Sequence, residues 1–515
     1  MNRHIRETAL ALLSGILTAL AFPKLGLFFL GWISLIPLLY VLSSKKPGRG
    51  FFLSWCGGFG FYLILLYWIQ DVPAHYGGLP WGLSTLIFAL FAAFLALLWG
   101  IFGTVFCRLR AVFPRGAFVL AAFLWVALEY FLTQALTGFP WGLLGNSQYR
   151  NLLFIQVAAL TGVYGLSFLL VLFQSGFVFS IVSGRRGPFF VVLGLILLVH
   201  AGGWLTLQVE VPETSETFTG AVIQGNVQPE VEFNLDNLDE TFALFQKHLD
   251  LSRQACSQGA RLVIWSELTV PLCFSCGNAY YSRFTRELTA FAHEQDCTML
   301  LGTNENAYAP EGGLLFYNTA VNLKPDAELS FYYKMHLVPF GEYTPYKFLF
   351  SFIANFTHAI GELTPGDSYV LHDFEGLPFG SPICYEIIFP EFARTFVKKG
   401  ARFLVTITND GWYGRSWAPY QHFGIAALRA VETRRFLLRC ATTGISGVVD
   451  PYGRVLSRSL LNTEAVLTGR ITPLSGETFY VRYGDWLAWL SLTLSGVFLI
   501  LAMILKRRHD KKSYR

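Results

Sequence analysis

Eight long apolar segments restrict this chain to folds that place helices in a membrane. About 20 residues of α-helix cross the roughly 30 Å hydrocarbon core of a bilayer. Because 53% of the residues are hydrophobic and only 14% are charged, one soluble core cannot bury this much apolar surface. We predict spans at 7–22, 26–42, 51–70, 83–106, 117–136, 161–183, 188–208 and 486–505.

Lysine and arginine residues are concentrated in alternate connections between these spans. They occupy the N-terminus (Arg3 and Arg6), residues 45–49, 108–115 and 185–186 and the C-terminal tail, whereas the opposite short loops hold only Lys24 and Arg150. Basic segments stay on the cytoplasmic side during insertion, so we predict that both termini are cytoplasmic and that residues 209–485 lie in the periplasm of a bacterial cell, beyond its inner membrane. Insertion signals account for the net charge of +5, and no zinc-knuckle, RNP or helix-turn-helix pattern indicates nucleic-acid binding.

The character of the sequence changes after residue 218. Short β-branched runs alternate with amphipathic stretches, which is typical of a soluble α/β domain. We predict strands at 220–225, 261–266, 298–303, 317–323, 329–333, 380–384, 403–408, 437–441 and 447–449, and helices at 236–256, 279–295, 390–399 and 418–435. The predicted organisation is a bundle of seven transmembrane helices (1–208), an exported α/β domain (209–485), and a last transmembrane helix with a basic tail (486–515).

Three residues that follow apolar runs are candidates for catalysis. Cys384 ends the run GSPIC, and ligands usually bind α/β folds at the carboxyl ends of strands. A cysteine chosen at random is more often a small buried apolar residue. Apolar runs also lead directly into Glu267 (RLVIWSE) and Lys334 (ELSFYYK). Burying either charge alone is expensive, and the cost falls when both lie in one pocket beside the thiol.

A series of motifs extends over nearly the whole chain. It comprises GWISLIPLL, TGFPWGLLGNSQ, GVYGLSFL, WSELTVP, YYKMHLVPFGEY, ICYE, TNDGWYGRSWAPYQH, RAVETRRFLLRCATTGIS, DPYGR and RYGDW. Each motif alone is weak evidence, whereas their joint order and spacing are specific. On these motifs the sequence resembles the apolipoprotein N-acyltransferase family, the membrane-embedded branch of the nitrilase superfamily, whose Glu, Lys and Cys occur in this order. The resemblance implies a bundle of about eight transmembrane helices plus a nitrilase-like αββα sandwich.

The resemblance also implies a role for each candidate residue. Glu267 is expected to be the general base for the Cys384 thiol and later for an incoming amine. Lys334 is expected to stabilise the oxyanion, helped by the backbone N–H of Tyr385. Glu342 and Glu386 are expected to set the charge and orientation of the lysine, the alternative being that they are solvated loop acids. We expect no cofactor and no metal, and we expect the chain to act as a monomer.

The membrane spans indicate a lipid substrate, because soluble relatives that cleave small amides or nitriles need none. Lifting an acyl chain into water costs about 0.8 kcal/mol per CH₂, so a phospholipid donor requires a site at the bilayer surface. The resemblance implies phosphatidylethanolamine as the donor, a thioester on Cys384, and the diacylglyceryl-cysteine of an apolipoprotein as the acceptor. We predict that the apolar residues after Tyr343 dip toward the membrane lipids and form a lipid entrance, with Phe348, Leu349, Phe350, Phe352, Ile353 and Phe356.

Two other functions remain open from the sequence. A membrane-tethered amidase or nitrile hydrolase would keep the three residues and release the acyl group to water, and a transporter or lipid-binding scaffold would carry an inert exported domain. The sequence also leaves open whether Cys273 and Cys276 form a disulfide. Glu129, within the fifth span, is expected to pack against Gln156 or Arg150. Arg434 stands where the family usually has glycine, and no role is predicted for it.

Overall fold

The computed structural model describes residues 3–211, 213–228, 238–268, 272–276, 279–309, 312–346, 348 and 362–513. The chain divides into two compact units. The first unit consists of residues 1–74, 79–209 and 483–515, and the second of residues 75–78 and 210–482. The first is helical, and the second contains the β-strands.

Helices occur in both units of the chain. They are α1 (Arg3–Leu20), α2 (Ile36–Leu42), α3 (Pro47–Leu65), α4 (Asp71–His75), α5 (Trp81–Val112), α6 (Gly116–Gln134), α7 (Leu152–Ile155), α8 (Ala158–Thr161), α9 (Val163–Ser183), α10 (Gly187–Leu207), α11 (Leu238–Ser257), α12 (Ala279–Glu294), α13 (Pro390–Lys398), α14 (Ala418–Thr433), α15 (Phe479–Tyr483) and α16 (Trp486–Ser513). Short 3₁₀ helices at Phe28–Trp32, Tyr67–Gln70, Pro140–Gly142, Leu144–Gln148, Cys384–Ile388 and Asp410–Tyr413 connect several of them.

Five of the described helices are long and apolar enough to cross a membrane, namely α5, α6, α9, α10 and the Trp486–Arg507 part of α16. The helix α3 and the segment Tyr67–His75, bent by 61°, become a sixth span if they are counted together. The predicted span 26–42 is not one helix, because it consists of Phe28–Trp32 and α2. The predicted total of eight spans therefore stays a prediction, while the helical character of this region is confirmed.

The break within the predicted span 26–42 is stabilised by one side chain. The Gln174 amide of α9 donates to the Gly31 carbonyl at 3.1 Å and accepts from the Leu35 N–H at 2.6 Å. An unsatisfied backbone group in hydrocarbon costs several kcal/mol, so irregular backbone at this depth needs such a partner. Glu129 acts similarly on another 3₁₀ segment, since it accepts from the Leu144 N–H at 2.7 Å as well as from the Trp125 indole at 2.8 Å.

The second unit contains two six-stranded sheets. Their strands are β1 (Phe218–Gln224), β2 (Leu262–Trp265), β3 (Thr298–Tyr308), β4 (Leu314–Leu323), β5 (Leu329–Tyr333), β6 (His372–Phe374), β7 (Leu377–Gly380), β8 (Phe403–Thr408), β9 (Leu437–Ala441), β10 (Gly447–Val449), β11 (Val455–Arg458) and β12 (Ala465–Ile471). The sheet orders are β12-β1-β2-β3-β4-β5 and β11-β10-β9-β8-β7-β6. Parallel pairing joins β1 to β2, β2 to β3, β7 to β8 and β8 to β9, and the other pairs are antiparallel.

Alternate side chains of each strand face different layers, as the two-residue period of a strand requires. On β1, Ala221 and Ile223 join a buried core with Phe245 of α11 and Leu288 of α12. On the other face of this sheet β9 packs closely, and the Cys440 thiol donates to the Ile223 carbonyl at 3.2 Å. The helices α13 and α14 contact β7 and β9 of the second sheet. The layers form an αββα sandwich, which confirms the predicted fold class.

One predicted strand is wrong, and three strands were not predicted. Pro382 has no N–H to donate to a ladder, so β7 ends at Gly380 and only Ile383 forms a bridge, to Ile407. Cys384 therefore begins a 3₁₀ helix instead of ending the strand predicted at 380–384. The missed strands are β6, β11 and β12, which are short or lie at sheet edges, where the apolar alternation is weak.

Arg434 follows the last residue of α14 in the left-handed conformation, with φ 51° and ψ 52°. Glycine is the residue that adopts this helix-ending conformation most readily, which explains the usual family residue. Here the guanidinium donates to the Pro451 carbonyl at 2.9 Å and lies 5.0 Å from the centre of the Tyr452 ring. These contacts offset the conformational cost of a side chain at this position.

Candidate active site

The candidate residues lie just beyond strands or bridges of both sheets. Glu267 lies two residues beyond β2, and Lys334 directly follows β5. Cys384 follows the bridge between Ile383 and Ile407, next to β8. Gly302 of β3 allows a close approach here, since a Cβ atom on it would lie 2.6 Å from the Cα atom of Glu267. The apolar run before Glu267 is the buried strand β2, and the run before Lys334 is β5, of which Tyr332 is buried.

Lys334 is held between two carboxylates. Its Nζ atom lies 3.1 Å from Glu267 Oε1 and 2.7 Å from Glu342 Oε1, and its side chain is only 1% exposed. Burial alone lowers the pKa of Lys334, but the charges of Glu267 and Glu342 raise it well above its usual value. The lysine is therefore a fixed cation that cannot act as a base.

Glu267 is bound on both of its carboxylate oxygens. Besides Lys334, Oε1 accepts from the Asn318 amide at 2.7 Å, and Oε2 accepts from the Asn409 N–H at 2.7 Å. The same Asn318 amide donates to Glu342 at 3.1 Å. Asn318 thus aligns the Glu267 and Glu342 carboxylates around the Lys334 ammonium. Its amide also donates a hydrogen bond to each carboxylate, which reduces the cost of burying two negative charges close together.

The Cys384 thiol is buried beside these charges. Its residue is 5% exposed, and burial, together with the charge of Glu267, raises the pKa of the thiol far above its usual value, although Lys334 opposes the shift. The Thr408 hydroxyl donates toward Sγ at 3.2 Å. A thiol in this state is protonated at rest, so nucleophilic attack requires a base to take its proton during the reaction.

The backbone of Cys384 is in the left-handed region, with φ 50°. A residue with a side chain adopts this conformation at a cost of about 1–3 kcal/mol, and it persists only where the surroundings enforce it. Tyr385 follows within the same 3₁₀ helix, and its ring packs against Phe389 and His336. The turn presents the cysteine at a bend between strand and helix.

Glu386 fixes that bend and is not a solvated acid. Its Oε2 atom accepts from the Ile383 N–H at 2.7 Å, and its Oε1 atom accepts from the Met335 N–H at 2.7 Å and the Tyr332 hydroxyl at 2.9 Å. Burial raises the pKa of Glu386 to about 7, against the effect of these N–H donors. Glu386 therefore connects the turn of Cys384 to the segment that follows Lys334, whereas Glu342 contacts the lysine itself.

Only part of the predicted lipid entrance is described. Phe348 is 87% exposed and its ring lies 6.5 Å from that of Tyr346. The other predicted residues of the entrance lie outside the described residues, namely Leu349, Phe350, Phe352, Ile353 and Phe356.

The pairing of Cys273 and Cys276, which the sequence left open, is resolved by the structure. The two cysteines form a disulfide in the segment that follows Glu267.

Several residues of the site were not predicted. Asn318 is a polar residue inside an apolar strand run, which was the available signal. Thr408, Asn409, Asp410 and His422 all lie within the quoted motif TNDGWYGRSWAPYQH, but nothing in its spacing indicates which of them face the thiol. Among the described residues, no cluster of three or more His, Cys, Asp or Glu side chains is arranged to hold a metal ion.

Comparisons with known proteins agree with this division of the chain into helical and α/β parts. Residues 14–176 match the model of the apolipoprotein N-acyltransferase N-terminal domain, and residues 221–478 match the carbon-nitrogen hydrolase model. An apolipoprotein N-acyltransferase of Geobacter metallireducens is 38% identical, covering 98% of this chain and 97% of its own length. One of Methylococcus capsulatus is 31% identical, covering 94% and 93%. The crystal structure of Saccharomyces cerevisiae Nit3, a member of branch 10 of the nitrilase superfamily, is 19% identical, covering 52% of this chain and 93% of that chain with a TM-score of 0.38.

Proposed function

Because the chain belongs to the apolipoprotein N-acyltransferase family, we propose that Cys384, Glu267 and Lys334 carry out its acyl transfer. The chain is an N-acyltransferase of lipoprotein maturation, with lipid and lipoprotein substrates. One observation supports the assignment of residues more than any other. A buried thiol lies within the electrostatic influence of both a carboxylate and an ammonium, and these two are themselves 3.1 Å apart.

In the first step, Cys384 Sγ attacks the carbonyl carbon of a phospholipid ester while Glu267 takes the thiol proton. The carbonyl oxygen becomes an oxyanion, which Lys334 stabilises together with the backbone N–H of Tyr385. When the C–O bond breaks, the glycerol oxygen takes the proton from Glu267 and leaves as lysophospholipid. The acyl group remains on sulfur as a thioester.

In the second step, the α-amine of a diacylglyceryl-cysteine attacks the thioester carbonyl. Glu267 now takes a proton from the amine and passes it to sulfur as the C–S bond breaks. The product amide is more stable than the thioester, so the step runs toward transfer. The low exposure of Cys384 supports this scheme, because a water-poor site limits hydrolysis of the thioester.

The direct test is the intact mass of the purified full-length chain after incubation with phosphatidylethanolamine vesicles. We expect a mass increase of one fatty acyl group that maps to Cys384 and disappears when a diacylated peptide is added. Absence of any adduct under conditions where transfer to the peptide proceeds would remove the covalent mechanism. The runner-up function, a membrane-tethered amidase or hydrolase, would instead release labelled fatty acid or ammonia without labelling the peptide.

We further propose that phosphatidylethanolamine is the preferred donor, that the protein acts as a monomer, and that residues 209–485 form a periplasmic catalytic domain between transmembrane residues 1–208 and 486–515. The distribution of lysine and arginine supports cytoplasmic termini. Labelling of single cysteines at the two termini with a membrane-impermeant reagent in intact spheroplasts tests the orientation. Modification at either terminus before lysis would contradict it.

The proposed lipid entrance gives a separate prediction. Replacing Phe348, Leu349 and Phe350 together with Ser removes apolar area that is expected to contact the bilayer, each side chain being worth about 1.5–3 kcal/mol when buried. We expect transfer from vesicle phospholipid to fall by about tenfold or more while the alkylation rate of Cys384 stays unchanged. A matched control is Tyr308→Ser, which changes an aromatic residue that is 84% exposed elsewhere in the same unit. Equal losses in both variants would argue against an entrance at this segment.

A further inference from the structure

Three arginines of the helical unit converge on one cavity of about 330 Å³. Arg110 lies in the last turn of α5, Arg115 precedes α6, and Arg185 follows α9. No acidic residue lines this cavity, and none of the three forms an ion pair with any other described residue. The buried Nε atom of Arg110 also has no hydrogen-bond partner among the described residues. The cavity therefore offers guanidinium donors that need an anion.

A second, apolar cavity of about 760 Å³ adjoins the first, because Pro114 and Arg115 line both. Its other lining residues are all apolar, and they include Val119 and Phe123 of α6 and Leu494 and Phe498 of α16. A free phosphate ion would gain nothing from contact with these apolar side chains. A molecule with an anionic head and a hydrocarbon tail fits both cavities at once.

We propose that these cavities bind one anionic phospholipid, with its phosphate among the three arginines and an acyl chain between α6 and α16. Planar guanidinium groups bind phosphate with paired hydrogen bonds, and basic pockets between transmembrane helices are suited to such headgroups. All the lining residues belong to the helical unit and none to the unit that contains Cys384. This lipid is retained by the protein and is distinct from the acyl donor that is consumed.

The need for basic residues as insertion signals does not account for this arrangement. That requirement depends on the number of lysines and arginines in a connection and not on where their side chains point. Arg108 and Arg186 occupy the same two connections, yet neither lines the cavity. These two residues therefore provide a control with the same change in charge.

The test uses the full-length protein in neutral detergent, with phosphatidylglycerol or phosphatidylcholine added and retained lipid counted by native mass spectrometry. For Arg110→Gln/Arg185→Gln, which removes two charges from the same two connections, we expect phosphatidylglycerol binding to weaken by about 30-fold, since each cation contributes to holding an anionic headgroup. Arg108→Gln/Arg186→Gln is expected to bind as the unmodified protein does. Equal weakening in both variants, or equal retention of phosphatidylcholine, would overturn the proposal.

The apolar cavity allows a second test that leaves every charge in place. Val119→Trp fills the cavity and is expected to reduce phosphatidylglycerol retention, whereas Val191→Trp, at a 74% exposed position on α10, is not. Inorganic phosphate at matched concentration is expected not to displace the lipid. Displacement by phosphate, together with no effect of Val119→Trp, would mean that the arginines bind a free anion and no lipid.

A second inference concerns His422 and depends on the proposed role of Cys384. His422 of α14 is fully buried, and its Nε2 atom lies 3.1 Å from the backbone carbonyl oxygen of Cys384. A carbonyl only accepts, so this contact is a hydrogen bond when Nε2 carries a proton. On the other side of the ring, Nδ1 lies 2.9 Å from Asp410 Oδ1, and Asp410 Oδ2 accepts from Arg439 at 2.8 Å.

This chain of contacts provides a reason for the left-handed backbone of Cys384. Burial opposes the ionisation of Asp410, but Arg439 and His422 lower its pKa to about 2, so a fixed anion orients the ring. The Thr408 hydroxyl lies 3.2 Å from both Asp410 Oδ1 and the Cys384 sulfur. We infer that His422 is a positioning residue, which holds the Cys384 carbonyl so that the sulfur stays beside Thr408 and the catalytic charges.

The test compares His422→Phe, which keeps the ring but removes the donor, with His422→Gln, which restores an N–H donor. We expect the alkylation rate of Cys384 by a small haloacetamide, and kcat, to fall by about 100-fold in His422→Phe with KM little changed, and to recover partly in His422→Gln. His248→Phe, at another fully buried histidine of the same unit, is the control. Equal losses in His422→Phe and His248→Phe would indicate a purely structural role. Alkylation reports the thiol itself, so it also separates this inference from the catalytic proposal.

Discussion

Replacing Cys384 with Ala is expected to abolish acyl transfer, with a loss of at least about 10⁴-fold in kcat. No acyl adduct should form on the variant. Cys384→Ser is expected to be equally inactive, because a hydroxyl is far less acidic than a thiol and the site already raises the pKa of the cysteine. The measurement is transfer of labelled acyl groups from vesicle phospholipid to a diacylated peptide.

Cys440→Ser is the matched control for this loss. Cys440 is also fully buried in the same unit, but its thiol donates to the backbone carbonyls of Ile223 and Ile264 between the two sheets. A serine hydroxyl can make the same contacts, so activity is expected to remain. Transfer by Cys384→Ala above about a tenth of the normal rate would exclude the sulfur nucleophile, and direct attack of the amine on the phospholipid ester would replace the thioester mechanism.

Replacing Lys334 with Met is expected to remove activity and to destabilise the catalytic unit as well. The ammonium lies between Glu267 and Glu342, so its removal leaves two buried carboxylates with no cation between them, held only by the Asn318 amide and one backbone N–H each. Breaking a buried ion pair by removing one partner costs about 3–5 kcal/mol. We expect a lowered midpoint in chemical unfolding together with loss of thioester formation.

The double variant Lys334→Met/Glu342→Gln separates stability from catalysis. It removes one of the two stranded charges, so much of the lost stability is expected to return. Activity is expected to stay absent, because no cation remains to stabilise the oxyanion. If the double variant regained both stability and transfer, Lys334 would be a structural counter-ion only.

The sequence contained most of the information about the strands that carry the site. Apolar runs ending in Glu267 and Lys334 correspond to β2 and β5, and the predicted strand 403–408 coincides with β8. A charge at the end of a buried strand is visible in sequence because its burial is costly without partners. The helices α12 and α13 also begin at the predicted residues.

The contacts between distant segments could not be predicted in the same way. Asn318 bridges Glu267 and Glu342 across 51 and 24 residues, and no local pattern indicates which strand will lie opposite. His422 reaches Cys384 from a helix 38 residues away. Likewise, hydropathy favoured one helix at 26–42, because the break there depends on Gln174 from a different helix.

The position of Lys334 between two carboxylates has a consequence for the whole reaction. With a neutral thiol, the group formed by Cys384, Glu267, Lys334 and Glu342 carries one net negative charge. During attack that charge passes from Glu267 to the oxyanion, and on collapse it returns, while the ammonium and Glu342 keep theirs. The net charge of this group is therefore the same before, during and after the attack. The protein only moves charge over a short path, and no ion has to enter or leave the site. A site that conserves its charge in this way needs little rearrangement of its surroundings during turnover, which suits a catalyst whose nucleophile, carboxylate and ammonium are all buried.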